Sequence, residues 1–281
     1  MGGNIFKDEA TSIKLQDIQP TISAYIDFLG NLFPMKAEAF KNFVPVGSVG
    51  KKPVSGDLDL AIDLSHVIES FTGDELKKWD INWDEWNELY LGIHKRSRTA
   101  TYEMSKMKAL LSIIRSKIQE AGIETSSMVT AGNIFTCFPQ YGPDGNPNGS
   151  KVQIDWMVGD EEWLTWAYHS TSDKNLKGLH RTQFLVASLA EAGYTFNHFS
   201  GIKKQGTSEW TVTKPEQAVD LLSTCYQKLT IEETYSFHDL NKWLKNSTTD
   251  QQYSAVIKRY KRIIRFAKAD LPSELDNYDC Y

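Results

Sequence analysis

The sequence predicts an α+β protein built from a strand-bearing domain over residues 1–165 and a mainly helical domain over residues 166–281. Three observations carry that reading. Asp57-Leu58-Asp59-Leu60-Ala61-Ile62-Asp63-Leu64 alternates acid and apolar side chains, the period of a strand with two unlike faces, and Lys151-Val152-Gln153-Ile154-Asp155-Trp156-Met157-Val158 reads as a second strand in which Asp155 alternates with Ile154 and Trp156. Between them, Glu103 to Ala121 sets Met107, Leu110, Leu111, Ile114 and Ile118 at helical spacing, with Gly122 as the stop. Beyond Trp166 the patterns turn helical, over 179–192, 215–228, 237–245 and 252–268. Charge changes at the same place. Residues 1–165 carry 16 basic and 23 acidic side chains, residues 166–281 carry 15 and 13.

The remaining elements follow in order. Ile22, Tyr25, Ile26, Leu29, Leu32 and Phe33 form a helical stripe within 21–43, broken near Gly30 and Pro34. Residues 42–46 read as extended, and the glycine- and proline-bearing stretch 47–56 as a turn. Residues 74–98 read as a polar, peripheral helical segment whose Trp79, Trp83 and Trp86 serve packing more than base stacking. Residues 123–138 read as extended, and 141–150 as a loop.

Composition excludes several classes. The chain has 281 residues and a net charge of −5, so bulk charge does not draw it to nucleic acid, although a local basic face is compatible with that total. Three well-separated cysteines form no CxxC, and the six histidines show no ligand spacing; neither a disulfide framework nor a zinc site is expected. No apolar run is long enough for a bilayer, no signal-peptide pattern opens the chain, and a cytoplasmic setting without membrane association is expected. There is no Walker A lysine, nucleophile elbow or GxGxxG fingerprint.

What remains is a constellation of carboxylates. Asp57 and Asp59, two apart on a strand, point to one face, and Asp155 has matching parity on another strand about a hundred residues later. Carboxylates so placed suit Mg²⁺, a hard ion that takes oxygen ligands and substrate phosphates. The bland alternative is the wet face of an edge strand. Clustered like charge costs stability unless a cation neutralises it, which favours a metal. Asp63 shares the parity but sits further along the strand, and is read as structural or as a support behind the ligands. Ahead of the pair, Gly47 permits close backbone approach and Ser48 offers a hydroxyl and an amide to a phosphate; Lys51 and Lys52 follow in the same loop.

Val46-Gly47-Ser48, an eight-residue spacer, Asp57-Leu58-Asp59-Leu60, and later Val152-Gln153-Ile154-Asp155 together resemble the motifs of the DNA polymerase β-like nucleotidyltransferase superfamily. The motifs cover residues 42–64 and 151–158; the spacer is slightly shorter, and the segment between the acidic strands longer, than in many members. The resemblance implies a mixed, mostly antiparallel sheet in the first domain, a helical substrate- and nucleotide-binding second domain, and an active cleft between them. It implies two Mg²⁺ ions (Mn²⁺ as an alternative) on Asp57, Asp59 and Asp155, and a nucleoside triphosphate as substrate. An acceptor hydroxyl would attack the α-phosphorus in line and release pyrophosphate. Gly47, Ser48, Lys51 and Lys52, with Lys177 after the domain boundary, would meet the triphosphate; Lys174, His180 and Arg181 could help.

The acceptor stays open. A polynucleotide 3′-end, such as a tRNA or another RNA, is supported by Ile257–Lys268. There Ile257, Tyr260, Ile264 and Ala267 would bury, leaving Lys258, Lys261, Arg262, Arg265 and Lys268 on an exposed flank. The bland reading of that flank is a solvated helix offset by the acids that follow it. A small-molecule acceptor, a cyclic or linear dinucleotide product, and a non-catalytic nucleotide-binding module are the other readings.

Overall fold

The computed structural model describes residues 5–6, 9–97, 100–130, 132–171 and 178–275. Two compact units separate at Glu161, Gly2–Glu161 and Glu162–Tyr281, each with its own hydrophobic cluster.

The first unit is a mixed α+β layer structure. In chain order it contains β1 (Ile13–Lys14), α1 (Leu15–Leu32), α2 (Ala37–Phe40), β2 (Val44–Pro45), β3 (Val54–Ser55), β4 (Leu58–Asp63), α3 (Leu64–Val67) and α4 (Gly73–Lys77). There follow α5 (Trp83–Arg96), α6 (Tyr102–Glu120), β5 (Glu124–Thr125), β6 (Phe135–Tyr141) and β7 (Pro147–Gly159). Five strands form one sheet in the order β2-β4-β7-β6-β5, and β1 pairs separately with β3. Every neighbouring pair in the large sheet is antiparallel except β4 with β7, which run parallel. The sheet is therefore mixed and mostly antiparallel.

Period two sorts its side chains. Leu58, Leu60 and Ile62 of β4 and Ile154, Trp156 and Val158 of β7 are buried in the main cluster with apolar residues of α1 and α6. Tyr25 of α1 locks onto this face. Its hydroxyl accepts from Trp156 Nε1 at 2.7 Å and from Thr136 Oγ1 at 3.0 Å. The odd-numbered residues of β4 and β7 point the other way, and Asp59 and Asp155 are among them.

Local sequence explains most element ends. Asn82 caps α5 by accepting from the amides of Asp84 and Glu85, and Thr101 caps α6 through Met104 N. Gly122, at φ +92°, follows the last turn of α6. Helix α1 begins six residues ahead of the predicted 21, because its first turn precedes Pro20; the proline sits inside the helix and lacks the amide for the usual bond. The tryptophan segment is core, not periphery. Trp79 and Trp86 are fully buried, and their indole N–H groups donate to Val67 O at 2.9 Å and Lys106 O at 3.2 Å. Only Trp83 is substantially exposed.

The second unit contains α7 (Glu161–Ala167), whose first residue closes the first unit, α8 (Gly178–Glu191), β8 (Tyr194–Asn197), β9 (Gly201–Lys204), α9 (Pro215–Cys225), α10 (Phe237–Ser247) and α11 (Asp250–Phe266). The β8–β9 hairpin adds two short strands to the mainly helical unit that the sequence predicts. Its turn is made by Asn197, whose side-chain oxygen accepts from Phe199 N and Ser200 N. A capping box between Thr249 and Gln252 starts α11, and Tyr253, Val256, Ile257, Tyr260 and Ile264 bury one side of it. Among the described residues, no helix is long and apolar enough to cross a membrane.

Candidate metal centre on the paired strands

Strand pairing brings the three predicted carboxylates together. Asp59 on β4 is the register partner of Asp155 on β7, so the two side chains stand side by side on one face. Asp57, two residues before Asp59, shares that face. One carboxylate oxygen from each lies within 4.8 Å of the others. Asp57 and Asp155 are buried, at 5% and 4% exposure, and Asp59 is half-buried.

Like charges so close and so dry resist ionisation. Burial, then the negative charge of Asp57, pushes the Asp155 carboxyl up to about 7. Burial also drives Asp59 well above the ordinary carboxylate range, with Asp57 and Asp155 adding repulsion. Such a trio is stable only with protons or a cation among its oxygens. An all-oxygen donor set of this kind fits Mg²⁺ or Mn²⁺.

The turn ahead of β4 is fitted to the same carboxylates. Val46 N donates to Asp59 O at 3.0 Å, which closes the chain onto the strand. Gly47 follows at φ +65°, and a Cβ there would stand 2.7 Å from Asp59 Oδ2. Only glycine fits both the left-handed backbone and the space beside the acid. Ser48 and Lys51 share the turn through the bond from Lys51 N to Ser48 O; Lys51 is exposed and Lys52 half-buried.

Sequence reasoning passed over Gln153. It lies two residues before Asp155 on β7, buried and on the same face, and its Nε2 donates to both Asp155 oxygens at 2.8 and 3.1 Å. Its Oε1 accepts from Ile5 N at 3.1 Å, so the start of the chain fixes the amide that fixes the acid. The parity of Gln153 was visible in the sequence; the contact across 148 residues was not.

Asp63 has the structural job expected of it. It caps α3, accepting from the amide and hydroxyl of Ser65, and it also accepts from Glu161 N. Lys174 and Lys177 lie outside the described residues. His180 and Arg181 are not on a ligand-facing surface of their unit. Both are buried. His180 Nδ1 is 2.8 Å from Tyr260 Oη, and Arg181 donates to the backbone carbonyls of Thr234, Trp166 and Ala167. The reason is helical phase: both residues lie on the side of α8 that packs into the unit.

Among the described residues, one other group has metal-like spacing: Glu9, Glu124 and Cys137. Lys151 already pairs with Glu9 at 2.8 Å, and a hydrogen bond donated to Glu9 raises the Glu124 carboxyl, so both acids already have partners. Burial pushes the Cys137 thiol up to about 11, away from the thiolate a metal needs.

No protein-family model matches the chain, and no curated protein resembles it closely enough to count as a relative.

Proposed function

We propose that the chain is a Mg²⁺-dependent nucleotidyltransferase of the DNA polymerase β-like kind, moving a nucleoside monophosphate from a nucleoside triphosphate to an acceptor hydroxyl. The observation that carries the reading is the convergence of Asp57, Asp59 and Asp155 within 4.8 Å on two paired strands. The order of motifs supports it, as does Gly47 against Asp59.

Asp57, Asp59 and Asp155 would hold the divalent cations. When bound, two Mg²⁺ ions supply charge neutralisation for the phosphates and acidify the acceptor hydroxyl. The chain's own contribution is placement. Gln153 and the parallel pairing of β4 with β7 fix where Asp155 stands relative to Asp59. The Gly47–Ser48 turn keeps bulk away from the carboxylates, leaving room for a phosphate, and Lys51 and Lys52 follow on the same loop for its charge. Preorganised carboxylates and a fixed turn reduce the reorganisation needed for in-line transfer.

The direct experiment is incubation with each α-³²P nucleoside triphosphate, Mg²⁺ and total RNA, beside Asp57→Asn. Label entering a discrete RNA band, absent with the variant, is the expected result. Label confined to small products would redirect the proposal to a small-molecule acceptor or a dinucleotide. Absence of any product sensitive to the substitution would overturn catalysis in favour of a nucleotide-binding module.

A further inference from the structure

The helical unit presents a charged surface that the carboxylate site does not explain. Lys258, Lys261, Arg262 and Arg265 fall within one stripe about 100° wide, at 3.6 residues per turn, opposite the buried side of α11. Lys258, Arg262 and Arg265 are exposed, and none of these three makes an ion pair among the described residues. The neighbouring Arg259 is different, being paired with Glu191. Residues 258–268 contain six basic side chains and no acidic one.

The acids after the helix do not account for the stripe as far as they are described. Glu274 is engaged elsewhere, with His238 Nδ1 at 3.1 Å and Asn241 Nδ2 at 3.3 Å, both on α10. Holding the like charges of Lys258, Arg262 and Arg265 along two turns, with no ion pair to any of the three among the described residues, costs stability.

One apolar side chain stands beside these cations. Phe266 is 82% exposed, the most exposed of the described large hydrophobic residues, and lies four positions after Arg262 and next to Arg265. A ring flanked by guanidinium groups is the pairing that single-stranded nucleic acids use, the cations tracking phosphates and the ring stacking on a base. A bilayer surface would need a broad apolar face, and the apolar face of α11 is already spent on the core.

We propose that the exposed side of α11 binds single-stranded polynucleotide, with Lys258, Arg262 and Arg265 on the phosphates and Phe266 under a base. The surface is argued from charge and exposure alone. It rests on the nucleotidyl-transfer reading only for its purpose, which is to hold a strand whose 3′-hydroxyl is the acceptor.

The test is fluorescence anisotropy of labelled single-stranded RNA and of DNA of the same sequence, with the full chain, across about 50 to 200 mM salt. Replacing Lys258, Arg262 and Arg265 together by glutamine should lower affinity at least about tenfold and flatten the slope of log K against log salt by about 2, since each single-strand phosphate contact contributes about 0.7. Phe266→Ala should weaken binding by about 5- to 150-fold and leave the slope unchanged, because stacking releases no counterions. Asp57→Asn should bind as the wild type does, so loss of transfer and loss of this surface are read separately. Either sugar bound with these signatures supports the proposal. Three outcomes overturn it: unchanged binding in the triple variant, equal weakening when Lys41, Lys77 and Lys108 of the first unit are replaced by glutamine instead, or α11-dependent binding to phosphatidylserine vesicles without binding to either nucleic acid.

Discussion

Two of the places where the first unit buries carboxylates do so in opposite ways. Glu75, at the start of α4, is 5% exposed and lies against Lys36 at 3.0 Å, with Lys78 also paired to it. Burial raises its carboxyl, but hydrogen bonds from Lys78 and Lys36 outweigh that and hold it below the ordinary range. Asp57 and Asp155 are as deeply set, with Asp59 half-buried beside them, but the three meet one another, and the Asp59 and Asp155 carboxyls rise. The fold thus neutralises a buried acid with lysine where stability is the only concern. At the start of β4, beside the middle of β7, it gathers negative charge that calls for a cation from outside. That difference separates a structural ion pair from a candidate site more cleanly than burial does.

The comparison can be broken by substitution. The largest effect expected is on activity: Asp57→Asn or Asp59→Asn should lower nucleotidyl transfer by at least about 10³-fold, measured as pyrophosphate release. The same Asp59→Asn should raise metal-free stability at neutral pH by on the order of 1–3 kcal/mol in a denaturant titration, because it removes repulsion. Glu75→Gln should do the reverse, costing about 3–5 kcal/mol by leaving Lys36 buried without its partner. Destabilisation by both substitutions would mean that the two sites are alike and that the trio is not poised for a cation.

Smaller effects sharpen the account. Gln153→Leu removes both amide bonds to Asp155 and should weaken Mn²⁺ binding by about 10- to 100-fold in calorimetry, the range for losing a group that orients a ligand. Unaltered affinity would make Gln153 a packing residue only. Gly47→Ala forces a side chain into the left-handed region and against Asp59, and should cost about 1–3 kcal/mol while also weakening the ion. A loss of stability with unchanged ion binding would detach that turn from the site.

Legibility in the sequence followed the range of each interaction. Strand β4, the core of β7, α6 and the buried stripe of α11 are written in local periodicity, so spacing and parity singled out Asp57, Asp59 and Asp155, and the resemblance of the surrounding motifs strengthened the choice. What joins them is not local. The register that sets Asp59 beside Asp155 depends on two strands far apart in the chain, and the bond from Ile5 to Gln153 leaves no local trace. Gly47 was legible as a glycine before a strand; the reason nothing larger fits is the position of Asp59. Trp79 and Trp86 pack, as their spacing indicated, but in the core and not at the periphery, because polar neighbours mask their inward phase. The β8–β9 hairpin, four residues a strand, was too short to show alternation. His180 and Arg181 looked like surface cations because composition does not reveal which way a helix faces.

The central claim, that the trio is a cation site, is tested most directly by the thermal midpoint of the full chain with Mg²⁺ and with chelator, at about pH 5 and about pH 8. Asp155 has a folded value of about 7 against an ordinary 3.8, so the folded chain keeps a proton that the unfolded chain releases. Metal-free stability should therefore fall as pH rises between those values and level off above the upper one, and Asp59 shifts in the same direction. Mg²⁺ binds the ionised carboxylates and should raise the midpoint by several degrees at the higher pH, far less at the lower, and not at all when Asp57 and Asp59 are both asparagine. A Mg²⁺ effect equal at the two pH values, or retained in the double variant, would contradict the account.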